Sequence, residues 1–83
     1  MNEQLTILTQ TIIFQDSHPA YEIAKHINKP YSTLMRECNP YDRGAKLGVN
    51  TLFEIMKFTK NIEPLRFMAN SLGYEVIKSE DNS

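Results

Sequence analysis

Tryptophan is absent from this chain, and cysteine occurs once, at Cys38. One thiol cannot close an internal disulfide, so a disulfide-stapled scaffold is excluded. Glycine occurs three times and proline four times, which excludes a collagen-like repeat and a low-complexity linker. The longest apolar stretch near the start, around residues 11–14, falls far short of the roughly 20 residues that cross a bilayer. The basic-then-apolar pattern of a secretory signal is missing there too. A cytoplasmic chain with no membrane partner is therefore expected. His18, His26 and Cys38 are too few and too scattered for a zinc site of known spacing, and no metal or other cofactor is expected. What is present is 83 residues, 41% hydrophobic and 23% charged. That composition suits one small globular domain without a deep cleft between domains.

The net charge of -1 hides an asymmetry. Residues 1–24 carry -3, residues 25–66 carry +4 and residues 67–83 carry -2. A positive middle is what attraction to phosphate requires, and acidic ends facing away do not prevent it. The alternative is an ordinary solvated surface.

Apolar spacing predicts five short helices. Residues 3–15 repeat Leu5, Leu8 and Ile12, supported by Ile7 and Ile13, with Asn2 as a cap and the segment before Pro19 as the stop. Residues 20–27 place Ile23, Ala24 and Ile27 inward, with Glu22, Lys25 and His26 outward. Residues 32–38 follow a compact Asn28-Lys29-Pro30 turn, with Leu34 and Cys38 inward. Residues 39–48 form the one long loop, punctuated by Pro40, Gly44 and Gly48. A fourth helix from Val49 or Asn50 to about Lys60 turns Leu52, Ile55, Met56 and Thr59 inward, with Asn50 as its cap. A fifth begins near Pro64, uses Leu65, Met68, Ala69 and Leu72 as its apolar face, and stops at Gly73. Residues 74–77 have strand character but are too short for a sheet alone. Residues 78–83 read as a flexible polar tail, leaving 1–77 as a single domain. The fold class is an all-α bundle.

Two short helices across residues 20–38 joined by a tight turn have helix-turn-helix spacing. In that motif a small residue lets the axes approach, apolar residues lock the angle, and the second helix presents its N-terminal face to DNA. Ala24 is the small residue. Asn28 stands where Gly is commonest and tolerates the left-handed backbone such a turn needs; Lys29 stands where an apolar residue is common. In this register Tyr31, Ser32, Thr33 and Arg36 project outward. Arg36 suits guanine, Ser32 and Thr33 suit phosphate or base edges, and Tyr31 suits phosphate or a thymine methyl. Amides at the start of the helix would add a phosphate contact. The alternative is a plain helical hairpin, with Ser32 or Thr33 as a cap and Arg36 paired to Glu37 or Glu22.

The run Lys29-Pro30-Tyr31-Ser32-Thr33-Leu34-Met35-Arg36-Glu37 resembles the Ser-Thr-apolar-x-Arg-Glu recognition helix of bacterial helix-turn-helix proteins, transposase heads among them. Residues 20–74 resemble the small CII-type regulatory proteins of temperate phages and prophages. The likeness lies in residues 29–42, in Gly-Ala-Lys-Leu-Gly (44–48) and in Leu-Phe-Glu-Ile-Met-Lys (52–57). It implies a lambda-repressor-like helical fold and a sequence-specific regulator of transcription, bound to double-stranded DNA and controlling lysis or lysogeny in the bacterial cytoplasm. It implies base reading by Tyr31, Ser32, Thr33 and Arg36, with Lys29, Arg43 and Lys46 as further DNA contacts. RNA polymerase is a candidate partner on the same ground. Cys38 stands where Leu is more usual and reads as a small core residue.

No enzyme is expected: the glycines follow no strand, so neither a P-loop nor a dinucleotide fingerprint exists, and Cys38 lacks a placed base. Residues 52–68 carry more apolar side chains than two short helices need. A homodimer through the fourth or fifth helix, or through residues 74–77, would cover them and set two reading helices about 34 Å apart. The competing class is a protein-binding module that docks a partner on Phe53, Phe58 and Phe67. A detached transposase or recombinase head is a third reading, and it too would be a binder.

Overall fold

A computed structural model describes residues 3–80. The expected cap at Asn2 and the last three residues of the tail lie outside that range. Five helices follow in order: α1 Glu3–Gln15, α2 Ala20–His26, α3 Tyr31–Glu37, α4 Val49–Thr59 and α5 Glu63–Ser71. Among the described residues there is no strand. Residues 74–77 run irregularly, because one short segment has no partner edge to share its backbone hydrogen bonds.

Local chemistry sets the boundaries. Pro19 and Pro30 precede α2 and α3 with extended backbone, φ -61° and -59°, as a ring-locked φ permits just ahead of a helix. Gly48 precedes α4 without a side-chain cap, so Asn50 lies inside the helix and does not cap it. Pro64 sits in the first turn of α5, where its missing N–H costs nothing. At the ends, α2 and α5 close in the same way. The Asn28 and Gly73 amides donate to the carbonyls of Lys25 and Asn70, and the next amides, Lys29 and Tyr74, donate to Ala24 and Ala69. This paired closure needs a left-handed residue at its centre. Asn28 has φ 60° and Gly73 has φ 88°.

All five helices contribute to one core. Ile13, Ile23, Leu34, Cys38, Leu52 and Ile55 are fully buried, with Phe58, Phe67 and Met68 packed against them. Each such aliphatic side chain contributes about 1.5–3 kcal/mol by leaving water. α1 lies across α5, α2 and α4, while α2 packs on α3 and α4.

Two expected faces are turned. In α1 the buried stripe is Leu5, Thr6, Thr9, Ile12 and Ile13; Leu8 is half-buried and Ile7 exposed. Thr9 can be buried because its hydroxyl donates to the Leu5 carbonyl at 2.8 Å, which removes the penalty for an unpaired hydroxyl. In α5, Pro64 is buried and Phe67, Met68 and Ala69 are half-buried, whereas Leu65 and Leu72 are exposed.

Candidate nucleic-acid interface

α3 divides cleanly. Leu34 and the adjoining Cys38 are fully buried against α2, and burial in the core pushes the Cys38 thiol up to about 12. Tyr31, Ser32 and Arg36 are exposed, and Thr33 is half-buried. Ser32 and Arg36 are four residues apart and Thr33 and Arg36 three, so these side chains share one helical face. α3 starts at Tyr31 behind Pro30, so neither Ser32 nor Thr33 caps it.

The connection from α2 is short because Asn28 takes the left-handed conformation. Beyond it, Lys29 Nζ donates to Glu37 Oε1 at 2.7 Å and to Oε2 at 3.0 Å, with both side chains largely buried. Lys29 is thus balanced by an acid at the far end of α3.

Residues 39–48 fold back on α3. Asn39 Oδ1 accepts the Tyr41 amide, the Asn39 carbonyl accepts the Asp42 amide, and Leu47 is buried as an anchor. Asp42 joins loop to helix. Its Oδ2 accepts from Arg36 Nε at 3.0 Å and its Oδ1 from the Gly44 amide at 2.9 Å. The Arg36 hydrogen bond, then that from Gly44, holds the Asp42 carboxyl below its ordinary range, and the same Asp42 bond raises the Arg36 guanidinium. Arg43 and Lys46 are exposed and line one depression with Glu37 and Asp42. Of the outer-face residues of α3, Arg36 reaches this loop, through Asp42. Arg36 pairs with neither Glu37 nor Glu22.

A family model for phage regulatory protein CII (CP76) matches residues 9–83. The chain belongs to the phage regulatory protein CII family. The match takes in most of α1, the α2–α3 pair, the loop with Arg43 and Lys46, and both later helices. Membership of the CII family makes a phage regulatory role the starting point. No curated protein and no solved structure matches the chain.

Asp42 is the residue of this CII-family surface that spacing alone did not single out, while Glu37, weighed as a partner of Arg36, bonds Lys29 instead. Asp42 is reached through the third dimension, and its only sequence trace is an acid near a base in a segment of no fixed period. Of the three phenylalanines offered as a docking surface, Phe53 alone is exposed, at 55%. Phe67 is half-buried, and so is Phe58, whose ring contacts those of His18 and His26 at centroid distances of 4.7 and 4.1 Å. Among the described residues, no three His, Cys, Asp or Glu side chains gather as a metal site would need, and no helix is long and apolar enough to cross a membrane.

Proposed function

We propose that this CII-family chain is a sequence-specific, double-stranded DNA-binding regulator of transcription, acting on phage or prophage genes that decide between lysis and lysogeny. In this reading α2 and α3 form a helix-turn-helix and α3 enters the major groove. Arg36 reads guanine, Ser32 and Thr33 bond base edges or phosphate, and Tyr31 contacts phosphate or a thymine methyl. Arg43 and Lys46 hold the backbone beside them. The observation that carries the reading is the division of α3, with Leu34 and Cys38 at 0% exposure and Ser32 and Arg36 exposed beside a basic loop. The site of action is the bacterial cytoplasm, next to RNA polymerase where the operator adjoins a promoter.

We further propose that it binds as a homodimer. Leu65, Leu72, Tyr74 and Ile77 are exposed at the end of the fold, Leu72 at 75% and Ile77 at 83%, and a second copy would cover them. A two-fold pair would then meet successive major grooves about 34 Å apart. Selection from random duplexes at two salt concentrations tests both parts. An enriched inverted repeat, bound more weakly at high salt, is expected. No enrichment by folded protein at low salt overturns the DNA reading, and a sedimenting monomer at tens of micromolar overturns the dimer.

A further inference from the structure

The guanidinium of Arg36 is held by Asp42 and closely approached by Gly44. Asp42 Oδ2 accepts its Nε–H at 3.0 Å. Asp42 is itself fixed, since its Oδ1 accepts the Gly44 amide and its own amide donates to the Asn39 carbonyl. The backbone of Gly44, bonded to the same carboxylate, lies so close that a Cβ there would come within 2.9 Å of Arg36 Nη2 and 3.4 Å of Asp42 Oδ1. Gly44 has no positive φ, so its lack of a side chain serves space and not backbone conformation.

The bond to Asp42 uses Nε alone, while the Arg36 side chain stays 59% exposed. The four N–H donors on Nη1 and Nη2 lie outside that bond. Guanine offers two acceptors, O6 and N7, in the major groove and takes two arginine donors at once. An arginine already held by a carboxylate loses less rotamer freedom on forming those bonds. Asp42 does not attract DNA in its own right, because its charge repels phosphate and lowers affinity for any sequence. That cost fits a device for discrimination.

Resting on the reading that α3 enters the major groove, we propose that Asp42 is a positioning residue that aims Arg36 at guanine, and that Gly44 is the space its guanidinium requires. The role is assigned to discrimination between bases, not to attraction of DNA.

The test compares the full-length wild type with Asp42→Ala, Gly44→Ala and Arg36→Ala, and with the two double variants that contain Arg36→Ala. Each is titrated with the wild type's selected duplex and with duplexes altered one base pair at a time. Arg36→Ala is expected to lose roughly 5- to 150-fold discrimination at one guanine, the range of one bidentate contact. Asp42→Ala and Gly44→Ala should each lose at least about fivefold at the same guanine and nothing further once Arg36 is gone. Asp42→Ala should also bind unrelated duplexes more tightly. Gly44→Ala changes no charge and meets only the ends of the Arg36 and Asp42 side chains, so it reports on this pair even where Asp42→Ala unfolds the loop. Full guanine preference in folded Gly44→Ala, sharper preference in Asp42→Ala, or additive losses in the doubles overturn the positioning role alone. A folded wild type that prefers no duplex overturns the DNA reading, and this role falls with it.

Discussion

Lys29 Nζ donates to both carboxylate oxygens of Glu37, at 2.7 and 3.0 Å, tying the end of the α2–α3 turn to the last residue of α3. The two side chains are 24% and 15% exposed, so the pair is screened less than a surface ion pair. An arrangement of this kind fixes where α3 points, which links the turn sequence to the orientation of the helix's outer face. Lys29→Ala should lower stability by about 1 kcal/mol, the upper end for partly exposed pairs, seen as a fall in Tm of about 4–8 °C. With its charge already balanced, Lys29 should also contribute less to the salt dependence of DNA binding than Arg43 or Lys46. Removing either of those should reduce the slope of log K against log salt by about 0.9, and a full loss of that size from Lys29→Ala would contradict this division of roles.

The left-handed residues separate backbone demand from side-chain choice. Asn28 at φ 60° is one of the few non-glycine types that adopts this conformation cheaply, whereas Lys60 at φ 58° is not. Asn28→Gly should stay within about 0.5 kcal/mol of wild type and Asn28→Ala should cost about 1 kcal/mol. Lys60→Gly should instead gain about 0.5 kcal/mol, as relief of strain outweighs the freedom added to the unfolded chain. Denaturant melts read all three, and a destabilising Lys60→Gly would contradict the assignment.

Acid should weaken the loop's hold on α3. Hydrogen bonds from Arg36 and then Gly44 depress the Asp42 carboxyl below its ordinary 3.8. Burial raises Asp16, but hydrogen bonds from the His18 backbone and ring outweigh it and leave that carboxyl depressed as well. A carboxyl lowered in the folded state stabilises it fully above its unfolded value and loses that contribution as the pH falls through the folded one. Asp42→Asn should therefore be less stable than wild type from neutral pH down to about 4. Below that the two curves should converge. A gap that widens in acid has the wrong sign.

Cys38 should be inert while the protein is folded. It is fully buried, and its thiol is pushed up to about 12, so almost no thiolate exists at neutral pH. Reaction with a disulfide reagent should be slow in buffer and become fast only as denaturant opens the core. Rapid labelling of the native protein would place Cys38 outside the core.

The helices were legible because their ends carry strong local chemistry. Pro19, Pro30, Asn28 and Gly73 act within a few residues of themselves, so sequence order suffices to read them. Faces were less legible where apolar residues run all round a helix. In α1 the choice of Thr9 over Leu8 depends on a hydroxyl that satisfies itself on the Leu5 carbonyl, which a hydrophobic period does not register. In α5 the exposed Leu65 and Leu72 look like core residues until the position of α1 across that helix is known. The outward set on α3 followed from its buried Leu34 and Cys38. The Asp42 partner of Arg36 did not, nor did the pairing of Lys29 with Glu37, since these bonds join residues six and eight apart through a loop and a turn.

The central claim, that the outer face of α3 and its adjoining loop meet DNA, is tested most directly by amide NMR of the full chain titrated with its selected duplex. The predicted result is that the largest shifts fall on Tyr31, Ser32, Thr33 and Arg36, with Arg43 and Lys46 beside them, while α5 moves little. Shifts confined to Leu65, Leu72 and residues 74–77, with α3 unmoved, would contradict it.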